Sequence, residues 1–155
     1  MFKIETWENN PILRKIADKV YDTDFKKIVK LGKEMIKYIK DPENWWVWLA
    51  APQIWVSKKL IVVSMLKDRE DENFKTIMMI NPEILEYSKE TDIQEEWCLS
   101  VPDIKWEVER PIRIKLSYKD EKNSTITLFL DWLQARVIQH ELDHINWKLF
   151  IDYLK

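Results

Sequence analysis

The sequence predicts one domain of mixed α and β organisation over residues 1–155, with an antiparallel hairpin and a buried helix. Three observations predict it. The chain has 155 residues, 46% hydrophobic and 34% charged, enough for one core and too short for two. Its hydrophobic period switches between helical and alternating several times, with no internal repeat and no low-complexity linker. The last helical stretch, "LQARVIQHELDHI" (133–145), leaves few positions for solvent, which places it inside.

Each element has its own signal. Phe25, Ile28, Val29, Met35, Ile36 and Ile39 recur at three and four, predicting an amphipathic helix capped by Thr23 or Asp24. Pro42 and Asn44 open a turn-like stretch that nevertheless reads "ENWWVWLAAPQIW" (43–55). "KLIVVSM" (59–65) and "FKTIMMI" (74–80) are β-rich runs. "IRIKLSY" (112–118) and "TITLFL" (125–130) alternate apolar and polar across a polar turn at 120–123, which predicts a hairpin. Asp131 then caps the helix over 133–145.

Charge and composition exclude several functions. Net charge is −2 with acidic and basic residues spread along the chain, so no basic face is expected and nucleic acid is not an expected direct partner. No apolar run approaches the ~20 residues of a membrane span, and "MFKIETWENN" lacks the basic start and apolar stretch of a signal peptide. A cytoplasmic protein is expected. The one cysteine, Cys98, has no partner for an internal disulfide and leaves a thiol free for ligation or catalysis.

The predicted buried helix carries the chemistry. In "QHELDHI", His140 and His144 stand four apart, so both rings project from one face and can hold one metal ion, with Glu141 beside them. In such H-E-x-x-H sites the carboxylate takes a proton from water whose pKa the metal lowers to about 7. The bland alternative is two polar side chains satisfying each other on a helix. Against it, both histidines fall in line with Leu133 and Val137, a stripe that faces the interior. A hydrolytic site wants a third protein ligand and an open position. Cys98 is the candidate, although a lone cysteine is also a common small core residue.

Three stretches resemble one family in its own order. "WVWLAAPQ" (46–53) resembles the G-x-G-x-A-A-P-Q motif of peptide deformylases, "EEWCLSVP" (95–102) their E-G-C-L-S motif, and "IQHELDH" (138–144) matches the third. The likeness runs from "PILRKIADKV" (11–20) to "KLFIDYL" (148–154). It implies a compact α+β fold with antiparallel strands around a buried central helix, one divalent ion held by Cys98, His140 and His144, and hydrolysis of the N-formyl group from the initiator methionine of new polypeptides. Ferrous iron would be the resident ion, with zinc or nickel as substitutes. By the same resemblance Glu141 is general base, and the Gln53 side-chain amide and Leu99 backbone N–H meet the oxyanion. Backbone at Trp46, Val47, Trp48 and Trp97 would pair with the peptide, while Val47, Leu133 and Val137 line the methionine pocket. The substrate is a nascent chain near the ribosome, but the chain ends at Lys155 without the helical extension of many relatives, so docking through such a tail is not expected.

The mismatches are of one kind. Trp46, Trp48, Trp97 and Trp147 stand at the family's glycine places, Trp55 and Trp132 fit the same rule, and Trp7, Trp45 and Trp106 sit in turn-like settings. The chain has nine Trp and one Gly, whereas average usage predicts about eleven Gly at this length. One triplet read two ways explains this: UGA meaning glycine in the source bacterium, translated as tryptophan. If the indoles are physically present, the alternative is a metal-binding but inactive relative of deformylases, since they crowd the cleft. An ordinary H-E-x-x-H metallopeptidase is a third reading, disfavoured by Cys98 as ligand.

Overall fold

The computed structural model describes residues 2–44 and 46–154, so Trp45 lies outside the described residues. The order is α1 (Asp22–Ile39), β1 (Trp48–Ala50), β2 (Leu60–Ser64), β3 (Thr76–Tyr87), β4 (Thr91–Cys98), β5 (Val101–Pro111), β6 (Arg113–Lys119), β7 (Thr125–Asp131) and α2 (Trp132–Ile145). Two 3-10 turns, Ala51–Ile54 and Phe150–Tyr153, follow β1 and α2.

Five antiparallel strands form one sheet in the order β1-β2-β3-β6-β7, and β4 with β5 forms a separate two-stranded ribbon. Helices cover the sheet on both faces, which explains why "LIVVS" of β2 does not alternate: Leu60 and Val62 join the core under α1, Ile61 and Val63 the core under α2. α2 lies between the sheet and the ribbon. Ala135, Ile138, Leu142 and Ile145 pack on the sheet, while Arg136 and Gln139 bond backbone carbonyls of the ribbon. This is the expected buried central helix, and ten of its residues are buried.

Several expected boundaries move. α1 starts at Asp22 with Tyr21 in the cap position and no side-chain cap, so neither Thr23 nor Asp24 caps it. Asp22 and Asp24 instead occupy the first turn, where negative charge favours the positive end of the helix. β3 continues past residue 80 to Tyr87, crossing Asn81 and Pro82 through register shifts in its pairing with β6. Asn81 makes this possible. It adopts φ 50°, and its amide both donates to the Val20 carbonyl and accepts from the Val20 N–H, each at 2.8 Å.

Gly32 serves packing: a Cβ there would lie 2.8 Å from Met78 Sδ, so the residue lets α1 approach β3. The opposite face of α1 corrects the expectation of evenly spread charge. Lys26, Lys30, Lys33, Lys37 and Lys40 form one exposed row, with Lys27 beside it.

Candidate metal centre

α2 and the end of β4 build the centre. Cys98 lies where the ribbon's register shifts, between the pairs Trp97 with Lys105 and Cys98 with Val101, an irregularity that re-aims the side chain. Its Sγ is 3.2 Å from His144 Nε2. Cys98, His140 and His144 are all buried and offer ligand atoms within 4.8 Å of one another. Two ligands of one tetrahedral ion, at 2.3 Å for sulfur and about 2.0 Å for nitrogen, stand about 3.5 Å apart. The observed spacing is close to that.

Orphaned atoms support a fit for a metal ion. Among the described residues five buried side-chain polar atoms have no hydrogen-bond partner, and four of them are His140 Nε2, His144 Nδ1 and both Glu141 carboxylate oxygens. His140 Nδ1 is 3.0 Å from Glu96 Oε2, an arrangement that holds the ring and leaves Nε2 for the ion. One thiolate with two imidazoles suits zinc, iron or nickel.

The electrostatics follow from burial and charge together. Burial alone would raise the Cys98 thiol, but His144 and His140 outweigh it and hold the thiol well below its ordinary value. Burial likewise lowers His140 and His144, yet Cys98 and nearby carboxylates reverse the direction and raise both. Glu141 is pushed up to about 7, chiefly by burial; the histidines oppose the rise and Cys98 adds to it. A carboxylate at that value takes and returns a proton near neutral pH.

The remaining expected residues converge on the same place. Gln53 sits on the first 3-10 turn, where its Oε1 accepts from the Ala50 N–H at 2.9 Å. That contact turns Nε2 toward the centre, 3.1 Å from Ser100 Oγ and 3.6 Å from Cys98 Sγ. A cavity of about 50 Å³ is lined by Trp46, Val47, Trp48, Gln53, Trp97, Cys98, Leu99, His140 and Glu141. A neighbouring cavity of about 260 Å³ is bounded by Val47, Trp48, Leu133, Val137 and His140.

Sequence reasoning missed the support around these groups. Glu96 accepts from Arg110 Nε at 2.6 Å, Arg110 Nη2 at 2.9 Å and Arg136 Nη1 at 2.7 Å, besides its contact with His140. Burial would raise its carboxyl, but these partners hold it well below the usual carboxylate range. Glu96 stands inside "EEWCLS" and invited inspection as a carboxylate two residues from the thiol. Arg110 and Arg136 carried no signal, being far apart in sequence. Leu66 and Arg69, which also line the larger cavity, come from a loop without periodicity.

Comparison with known proteins agrees with this geometry. The family model for polypeptide deformylase matches residues 1–155. The peptide deformylase of Synechocystis sp. is 40% identical over 141 residues, covering 91% of this chain and 73% of its own. That of Desulfotalea psychrophila is 40% identical over 156 residues, covering 99% and 88%. Among solved structures, peptide deformylase from Thermotoga maritima superposes with a TM-score of 0.86 at 37% identity, covering 99% of this chain and 97% of that one. A probable peptide deformylase from Synechococcus phage S-SSM7 gives 0.85 at 35% identity, covering 99% of both.

Proposed function

Since the chain belongs to the polypeptide deformylase family, and so is a metal-dependent enzyme that removes the N-formyl group from newly made polypeptides, we propose how its residues divide that work. Cys98, His140 and His144 hold one divalent ion, which supplies the Lewis acidity that makes water nucleophilic at neutral pH. The resemblance favours ferrous iron as the resident ion, with zinc and nickel as substitutes. The whole chain acts as one catalytic domain, in the cytoplasm, on peptides emerging near the ribosome.

Glu141 takes a proton from the attacking water as the oxygen–carbon bond forms at the formyl carbon. Gln53 Nε2 and the Leu99 N–H donate to the oxygen on which charge develops. The carbon–nitrogen bond then breaks, Glu141 returns its proton to the amine, and formate leaves. Glu141 suits both transfers because it is fully buried beside the three proposed ligands and carries no hydrogen bond that would hold it away from the water. Backbone of 46–48 and 97 pairs with the peptide as an added strand, and Val47, Leu133 and Val137 receive the methionine side chain in the 260 Å³ cavity.

The observation that carries this reading is the buried Cys98, His140 and His144 cluster, with His140 Nε2 and both oxygens of the adjacent Glu141 unpartnered. Metal analysis tests it. The parent should hold about one ion per chain and Cys98→Ala essentially none. Glu141→Ala should keep the ion and lose formate release by about 100-fold or more. Full metal retention by Cys98→Ala would overturn the ligand set.

A further inference from the structure

The nine tryptophans remain unexplained by the reaction, and the backbone beneath them is informative. Trp7, Trp55, Trp132 and Trp147 adopt φ of 76°, 65°, 44° and 64°. In this left-handed region a Cβ crowds the following carbonyl oxygen, and glycine is the residue that enters freely. The other three described residues there are Asn81, Asp103 and Asn123, types whose short polar side chains tolerate it. The sole glycine, Gly32, lies within helix α1. Nor does packing compensate for the strain. The four indoles are 53%, 59%, 57% and 47% exposed.

Three further tryptophans obstruct the cleft. The Trp46 and Trp97 rings meet across it with centroids 5.8 Å apart. Trp48 lines both the 260 Å³ and the 50 Å³ cavities, Trp46 both the 50 Å³ cavity and one of about 570 Å³ beside Ile104 and Lys105, and Trp97 lines all three. These three residues stand in the walls that adjoining spaces share.

We propose that the polypeptide working in the cell carries glycine wherever tryptophan is written here, so that strained turns relax and the obstructed cleft becomes one continuous peptide groove. The left-handed backbone and the obstructed cleft are independent observations, covering seven of the nine positions. One triplet with two readings extends the exchange to Trp45 and Trp106. It also restores a near-average glycine content. The groove part rests on the deformylase reading; the backbone part does not.

Single substitutions test the backbone part by thermal melting. Trp7→Gly, Trp55→Gly, Trp132→Gly and Trp147→Gly should each melt above the corresponding alanine variant by about 2–4 °C. At Trp106, in extended β5, glycine should melt no higher than alanine. Alanine equal to or better than glycine at all four left-handed positions would overturn the proposal, as would UGG triplets in the gene. A printed chain that fails to fold while the nine-glycine chain folds would support it.

The groove part compares two metal-loaded chains, as printed and with glycine at all nine positions, on formyl-Met-Ala. The glycine chain should turn over about 100-fold faster, the scale of loss expected when a reacting group is displaced. Equal turnover would overturn the groove. If neither fully metal-loaded chain released formate, the deformylase reading would fail, and the melting order alone would decide the glycine identities.

Discussion

Glu96 concentrates more of the centre's energetics than any ligand. Its two oxygens receive both arginines and the imidazole while the carboxylate is itself buried, so the loss of one partner exposes the others to an uncompensated charge. Glu96→Ala leaves the buried Arg136 without its carboxylate and Arg110 with Asp143 alone, and about 3–5 kcal/mol of stability should be lost in urea unfolding. The same variant should weaken metal binding about 10–100-fold by freeing the His140 ring. An unchanged metal affinity would reduce Glu96 to a purely structural ion pair. At this scale His140, His144 and Glu141 were legible as candidates because helical spacing aligns them, and Cys98 through the resemblance of its neighbours to a family motif. Glu96 was not: its role depends on Arg110 and Arg136, brought to it only by the fold.

Among the elements, α2 packs one face on the sheet and bonds the ribbon with another. Ile138, fully buried against the sheet, tests this without touching a ligand. Ile138→Ala should cost about 2–5 kcal/mol in equilibrium unfolding, with the metal stoichiometry unchanged. The C-terminal 3-10 turn is held by charge. Arg14 donates to Asp152 through two nitrogens at 2.6 and 3.0 Å, and the Leu149 N–H donates at 2.8 Å. Burial would raise the Asp152 carboxyl, but Arg14 and Leu149 outweigh it and depress the value. The clamp is therefore present above the ordinary aspartate range and lost as pH falls through the depressed value. Asp152→Asn should flatten the acid limb of a stability-versus-pH curve relative to the parent; parallel curves would dismiss the clamp. Periodicity revealed α2 and the β6–β7 hairpin, because each buries a regular apolar face, whereas β2, buried on both faces, showed as a β-rich run. It failed for the β4–β5 ribbon, whose inward positions include Glu96 and Arg110 and whose outward ones include Trp97, Ile93 and Trp106.

On the scale of the whole molecule, an ion bound by Cys98, His140 and His144 would fasten the ribbon to α2. Chelation should then lower the melting temperature. At free ion about 1,000-fold above Kd, the lost stabilisation is about 4 kcal/mol. Cys98→Ala should melt at one temperature with or without chelator, and a chelator-insensitive parent would contradict the link. The single domain of mixed α and β organisation was legible from length and period, and the charge layout was not, since composition averages what folding separates. Six lysines against Glu34 give residues 26–40 a charge of +5; with −2 for the whole chain, the rest carries −7. The lysine row extends about 21 Å along α1. An acidic protein built this way behaves as an electric dipole. At neutral pH and low salt it should be retained on a cation-exchange resin despite a pI near 5.8, and release should come early in a salt gradient. Replacing Lys30, Lys33 and Lys37 with glutamine should abolish retention, because the molecule would no longer have a face to turn toward a negative surface.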